Sequence, residues 1–598
     1  MTRRLELPKQ PALPFNVEIL ANPSQADLRQ LALAHTPHCV ETVYGSINKI
    51  ARNKARMAKY TYVIDRAGKP EAYSHNTIGL EQAQELIDAQ AAYVREKNKL
   101  ILIEGYVGVG PHAVPVQWCY TVEGANIAAM QQILSFPRER VEGSDAATRE
   151  FEPAFRLVYT PDFNIEDIAC VPGNQAIVVD LDNYVTYIMG ADYFGESKKG
   201  ALRMLAEFQY RNGGLVMHAG AKEIVDGGGR VTMGILGLSG TGKTTTTFSK
   251  QGDATKPVQD DMITLWPGGE ISVTENGCFA KTWGLAEATE PVIYRGTISP
   301  EAWIENVYLD AEGKPEFSKR ALSPADVRRL RDTLIGTGAP AENVDRYIAG
   351  EVELDELVVE GIPKDGWDFV MWTENGRSII PMSSIEDAAV LEELEPLHSL
   401  GILNRDEGPD AATPGLVRFA SPEQAAGYLM LGETSKTSAA GKERGKTRSP
   451  FTQPFFPLAH SLQAARFSEL AATFEKTTMW LMNTGYVGGD AEGVEQGVAL
   501  KVKIRHSSAM LEAMLGHGVV WTVDPDFGYE VVDVDAPANA ALIERVPAEI
   551  LQPRRFFEKA GRMDEYNDWV ARMKRERKAF LEQYEVAPEI VAAVVSPA

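Results

Sequence analysis

The chain has 598 residues, too many for one ordinary domain and enough for two or three lobes, each with its own core. Its 60 basic against 83 acidic residues leave a net charge of −23, which argues against nucleic acid as a partner except where a cleft concentrates Lys and Arg. Four widely separated cysteines, Cys39, Cys119, Cys170 and Cys278, form no C-x-x-C pair, so neither a zinc knuckle nor a disulfide framework is expected, which fits a reducing cytoplasm.

At the amino terminus, "MTRRLELPKQPALPF" has basic residues with no apolar stretch behind them, and no apolar run reaches membrane-spanning length. A soluble protein without a membrane partner is expected. Residues 81–97 place Leu86, Ile87, Ala91 and Val94 on one helical face. The run "KLILIEGYVGVG" from Lys99 predicts a buried strand, and "AVPVQWCYTV" and "QAIVVDLDNYVTYIM" predict others, outlining an α/β amino-terminal lobe over 1–213. The second lobe, 214–598, opens on "GGGRVTMGILGLSGTGKTTTTF", which runs Gly-rich turn, strand over 231–236, glycine loop, helix. Residues 297–370 are charged and helix-rich, with a Ser N-cap opening "SPADVRRLRDTLIG", and read as an insertion on that lobe. In 434–450, Lys436, Lys442, Arg444, Lys446 and Arg448 stand among small polar residues, as a solvated loop or a lid that closes over phosphates. Toward the end, Met563, Tyr566, Trp569, Met573, Phe580 and Tyr584 recur at helical spacing as a packing stripe.

"GLSGTGKT" fits the phosphate-cradling pattern G-x-x-x-x-G-K-[ST]. Backbone N–H groups of Gly237, Leu238, Ser239, Gly240, Thr241 and Gly242 face phosphate oxygens, Lys243 reaches the β/γ-phosphates, and Thr244, followed by Thr245, holds Mg²⁺. The adjacent acids of "KPVQDDMITLW", Asp260 and Asp261, alternate faces on a strand, so one can face a nucleotide-bound metal and the other a second metal. Upstream stand Lys198, Lys199 and His218. Adjacent lysines depress each other's pKa, and a neutral Lys donates its lone pair to a metal.

"YFGESKKG", "MHAGAK", "GLSGTGKTT", "PVQDD" and "ENGCFAKT", in this order, resemble the ATP-dependent phosphoenolpyruvate carboxykinases. The likeness extends to "NKARMAKYTYVID", to the strand and helix "LILIEGYVGVGPHAVPVQWCYTVEGANIAAMQQILSFPR", and to "ENGRSIIP". It implies a two-lobed α/β fold with a P-loop mononucleotide-binding lobe and an active-site cleft between the lobes. It also implies a lyase that decarboxylates oxaloacetate and transfers the γ-phosphoryl group of ATP to the enolate oxygen, a gluconeogenic or anaplerotic step. On this resemblance Mn²⁺ sits on Lys199, His218 and Asp261, and Mg²⁺–ATP on Thr244 assisted by Asp260, while Lys198 and Lys243 neutralise phosphoryl oxygens. Arg56 and Arg377 grip substrate carboxylates beside Tyr193, and Lys281, Glu290 and Arg444 lie near base and ribose.

Four departures stand out. "AGAK" comes after the His where the family has Cys-Ser-Ala-Asn, Gln259 replaces a Gly, "TENGCFAK" stands for "FEGGCYAK", and "KTRSPFTQPFFPLAHSL" comes after Arg444 in place of a Thr-rich small-residue segment. Base preference, direction and oligomeric state stay open. Two other readings are a kinase of the same fold with a different acceptor, which turns over ATP without oxaloacetate-dependent CO₂ exchange, and a non-catalytic nucleotide sensor, which has no need of Lys199, His218 and Asp261 together.

Overall fold

The computed structural model describes residues 6–52, 58–166, 168, 170–226, 229–237, 243–248, 254–317, 323–359, 362–371, 375–435, 446–516 and 518–596. Arg56, Leu238, Ser239, Gly240, Thr241, Gly242 and Arg444 lie outside these residues, as do the side chains of Lys243, Thr244 and Thr245.

The apolar run from Lys99 forms the strand Lys99–Val107, paired antiparallel to the wholly buried Val114–Thr121. These belong to an eight-stranded sheet in the order Glu18–Ala21, Lys99–Val107, Val114–Thr121, Phe155–Thr160, Val185–Met189, Ala176–Asp180, Thr61–Ile64, Asn76–Ile78. Helix Leu80–Lys97 precedes it and stops at Asn98, whose left-handed conformation (φ 53°) ends the turn. The helix buries Ala83, Leu86, Gln90 and Val94, one residue off the expected stripe at Gln90. Gln90 Nε2 donates to the carbonyls of Val158 and Ile188 and to the Thr160 hydroxyl, while its buried Oε1 has no hydrogen-bond partner among the described residues.

A second eight-stranded sheet runs Thr255–Gln259, Ala219–Asp226, Gly229–Gly237, Leu397–Asn404, Thr478–Asn483, Leu416–Arg418, Glu530–Val532, Trp521–Val523. Gly229–Gly237, Leu397–Asn404 and Thr478–Asn483 are parallel neighbours, so their carboxyl ends share one edge, where ligands of open α/β sheets bind. Helix Lys243–Phe248 comes after the first of them. The strand, glycine segment and helix thus come in the order that the motif requires.

A third sheet is assembled from distant pieces, Gly277–Lys281, Arg377–Pro381, Trp303–Glu305, Ile47–Lys49 and Cys39–Glu41. Trp303–Glu305 lies in the stretch read as a helix-rich insertion, yet it pairs with both Ile47–Lys49 and Arg377–Pro381. The helices of that stretch, Pro324–Gly336, Ala341–Ile348 and Leu354–Leu357, come later and carry a separate apolar cluster. Ser323 caps the first of them by accepting from the Asp326 N–H. Near the carboxyl end, helix Met563–Gln583 buries Tyr566, Trp569, Met573, Arg577 and Leu581. No described helix is long and apolar enough to cross a membrane, and the four cysteines are unbridged.

Candidate active site

Helix Gly195–Arg211 starts just after Tyr193, whose carbonyl accepts from the buried Tyr159 hydroxyl at 2.9 Å. Tyr193 is itself buried. The first turn of the helix presents Glu196, Lys198 and Lys199, and the two lysines diverge. Lys198 Nζ lies 2.9 Å from Asp261 Oδ2 and 2.9 Å from Glu275 Oε2. Lys199 Nζ lies 3.0 Å from Glu196 Oε1, and Arg203 donates to the other oxygen of Glu196 at 3.2 Å.

The expected mutual depression of the lysine pKa values fails at Lys198. Burial works to deprotonate it, but Asp261, Glu275 and Asp260 outweigh burial and raise its pKa well above the ordinary lysine value. Glu275 bears the complementary cost. Burial first, then Asp260 and Asp261, push its carboxyl up to about 7, although Lys198 pulls the other way. Buried Glu196 is taken down to about 2 because Lys199 and Arg203 overcome its desolvation.

Strand Thr255–Gln259 ends one residue before the acidic pair, so the aspartates separate at a strand end and not along the strand. Asp260 is buried and its Oδ2 accepts from the Cys278 thiol at 3.1 Å. Asp261 turns to Lys198 through Oδ2 and to His218 through Oδ1, 2.8 Å from Nε2. Gly220 makes this packing possible. A Cβ there would stand 2.5 Å from Thr247 Cγ2 and 2.9 Å from the Asp260 carbonyl oxygen, so the helix after the glycine segment and the aspartate turn both press against bare backbone. Next in the "AGAK" departure, buried Lys222 donates to the Thr246 carbonyl of that helix at 2.9 Å, and burial lowers its pKa to about 8.

His218 supplies a test of whether a metal fits. Its Nδ1 lies 3.1 Å from the Phe451 carbonyl, which can only accept, so Nδ1 carries a proton. A neutral ring then turns the Nε2 lone pair toward a carboxylate oxygen 2.8 Å away. Two lone pairs facing each other require either a second ring proton or a cation between them. A ligating His commonly donates its other N–H to a backbone carbonyl in this way. The imidazole and carboxylate donors therefore fit a divalent cation, while the Lys199 amine is paired with Glu196. Among the described residues there is no cluster of three or more His, Cys, Asp and Glu that could hold a metal. Phe451 and Phe455, whose ring centroid is 5.3 Å from that of His218, come from the stretch that departs from the family pattern after Arg444. That stretch walls the imidazole.

Phe279 joins the two sides of the site. Lys198 Nζ stands 5.0 Å and Arg377 Cζ 5.6 Å from its ring centroid, which brings Arg377 to the same side chain as the lysine. Arg377 pairs in register with Glu305 on one side and with Lys281 on the other. Glu290 directly precedes helix Pro291–Thr297. Of the basic residues of 434–450, Lys446 lies 3.2 Å from buried Asp406, and Arg448 donates to Glu433 at 2.8 Å and Glu576 at 2.9 Å. Thr434–Ser435 pairs with Lys446–Thr447.

Sequence reasoning missed Glu196, Glu275, Cys278, Phe279 and Glu305. Three of these sit inside the quoted "ENGCFAKT", where the carboxylate between Thr274 and Asn276 was the available signal. Glu305 is fully buried and accepts from the Phe194 N–H at 3.0 Å.

A family model described as phosphoenolpyruvate carboxykinase matches residues 17–325 and 363–537. Curated relatives named phosphoenolpyruvate carboxykinase (ATP) include that of Thermus thermophilus, 27% identical over 444 residues, or 73% of this chain and 70% of the relative. Those of Brevibacillus brevis and Mesorhizobium japonicum are each 25% identical, covering 85% and 84% of this chain and 84% and 82% of their own lengths. The matched stretches contain Lys198, Lys199, His218, Asp260, Asp261, Glu275 and Arg377 and span most of the chain, which belongs to the phosphoenolpyruvate carboxykinase family.

Proposed function

We propose that this chain converts oxaloacetate and ATP to phosphoenolpyruvate, CO₂ and ADP, and that the reaction takes place where Lys198 and His218 converge on Asp261. The observation that carries the reading is this convergence, 2.9 Å and 2.8 Å from the two carboxylate oxygens, one residue from Asp260 and across Phe279 from Arg377. Family membership supports a divalent metal working with ATP. We assign Mn²⁺ to Lys199, His218 and Asp261, and Mg²⁺–ATP to the Gly237–Thr245 segment, with Thr244 and Asp260 on its metal.

In this assignment Arg377 and Arg56 hold the carboxylates of oxaloacetate beside Tyr193. The C–C bond to the departing carboxylate breaks, CO₂ leaves, and the electron pair becomes an enolate. The enolate oxygen takes the γ-phosphoryl group as the bond to ADP breaks. A divalent cation bound at this site supplies Lewis-acid charge to the oxygen on which negative charge develops. Lys198, kept protonated by its carboxylates, and Lys243 offset charge on the transferring group. Lys281, Glu290 and Arg444 serve the base and ribose. The lobes are 1–213 and 214–598, supported by sheets confined to 18–189 and 219–532, with the third sheet spanning both. The substrates are small molecules and the compartment is the cytoplasm.

His218→Ala tests the metal assignment. It should abolish activation by Mn²⁺ while leaving Mg²⁺–ATP binding within about twofold, because the imidazole touches the first site only. Full Mn²⁺ stimulation in this variant rules the assignment out.

A further inference from the structure

Residues 326–362 fall between the two matched stretches, so nearly all of the helical insert lies outside the part of the chain that the family model matches. Its apolar core holds Leu330, Leu334, Val344 and Leu357, and its remaining buried members come from outside the insert: Ile50, Tyr308, Trp367, Phe369 and Val370. These five have a common position. Ile50 comes directly after strand Ile47–Lys49, Tyr308 comes after Trp303–Glu305, and Trp367–Val370 precedes Arg377–Pro381. The first two strands are parallel and the third is antiparallel to Trp303–Glu305, so all five residues lie past the same end of the sheet.

The last row of the sheet at that end is Lys49, Glu305, Arg377. Polar contacts reinforce the packing. The Tyr308 hydroxyl donates to Asp326 Oδ1 at 3.0 Å, Asn343 Nδ2 donates to the Gly366 carbonyl at 3.0 Å, and Arg346 Cζ lies 5.5 Å from the Trp367 ring centroid. The insert thus packs against the chain one residue past Lys49, three past Glu305, and at Gly366–Val370 on the segment that leads to Arg377.

We propose that the insert is a positioning brace for the carboxylate-binding end of the site, fixing Arg377 by packing against the ends of the three strands that hold its row. The proposal rests on the reading of Arg377 as a carboxylate ligand. Leu334, fully buried in the insert core, is a positioning residue and touches no substrate. Loosening the brace shifts Arg377 and leaves in place strand Gly229–Gly237, which leads into the phosphate segment and belongs to a different sheet.

The test is steady-state kinetics of the full-length chain in the oxaloacetate-forming direction, varying phosphoenolpyruvate and ADP separately. Leu334→Ala should raise the KM for phosphoenolpyruvate on the order of tenfold, with the KM for ADP changed less than about twofold, a fraction of the roughly 100-fold that a full misplacement of about 1 Å in an oriented group costs. Leu334→Met should recover most of the loss. A Leu334→Ala protein with a lowered Tm but an unchanged KM for phosphoenolpyruvate overturns the brace, as does an equal rise in both KM values. If Leu334→Ala does not fold, Asn343→Ala, which removes only the tie to Gly366, carries the test and must raise the same KM at least about threefold. Arg377→Gln separates the two ideas. If it leaves the KM for phosphoenolpyruvate unmoved, the carboxylate assignment fails. If it raises that KM and the insert variants do not, the brace alone fails.

Discussion

Glu305→Gln should stabilise the protein increasingly as pH rises. The Glu305 carboxyl is fully buried between Lys49 and Arg377; among the described residues Oε1 accepts from the Phe194 N–H and Oε2 has no hydrogen-bond partner. Burial is the main cause that raises its pKa from 4.5 to about 8; Asp192 adds to the rise, while the Phe194 hydrogen bond, Lys49 and Arg377 oppose it. The unfolded chain releases this proton near pH 4.5 and the folded chain holds it to about pH 8, so between these values the folded state binds more protons. Stability is therefore unpenalised below about pH 4.5, falls as pH rises toward about 8, and levels off beyond. At about 1.4 kcal/mol per pKa unit, the full window is worth about 5 kcal/mol. Glutamine keeps the acceptor for Phe194 and cannot ionise. Scanning calorimetry of both proteins from about pH 5 to about pH 9 isolates this group, because other titrations cancel in the difference. The Tm of Glu305→Gln minus that of the parent should climb through the window and then flatten. A difference independent of pH refutes the reasoning.

Three further outcomes rest on particular contacts. Gly220→Ala pushes a methyl to 2.5 Å from Thr247 Cγ2, and should cost about 1–3 kcal/mol in denaturant unfolding and raise the KM for ADP more than that for phosphoenolpyruvate. Lys198→Met leaves Asp261 and Glu275 without their shared cation, and kcat should fall about 100-fold or more with ADP binding, read by calorimetry, retained. Arg577→Met strips the buried Glu433 of its bidentate partner, at 2.8 and 3.2 Å, leaving Arg448; unfolding free energy should drop by about 3–5 kcal/mol.

The sequence was most legible where one continuous segment carries the signal. The apolar run from Lys99 needs nothing but its own neighbours to form a buried strand, and the glycine segment is recognised because its strand and helix adjoin it in the chain. The third sheet was not legible, because strands of three to five residues from four regions pair only after folding brings them together. Trp303–Glu305 has too few residues to show a period of two, and so the stretch around it took on the character of the helices that begin at Pro324. Charge obeyed the same rule. Lys198 and Lys199 are adjacent in sequence and invite an argument from mutual repulsion, but Lys198 answers to Asp260, Asp261 and Glu275, all supplied by other segments. Arg577 lies one turn after Met573 on the stripe read as packing, and only its approach to Glu433 explains a buried arginine there.

Carboxykinase activity itself is decided by supplying the full-length protein with phosphoenolpyruvate, ADP, bicarbonate and Mn²⁺ and coupling any oxaloacetate formed to malate production. Oxaloacetate should form in an ADP-dependent manner and be lost in Lys243→Ala, a substitution in the phosphate segment. Oxaloacetate no higher than in that control, from a preparation shown to bind ATP, contradicts the proposed reaction.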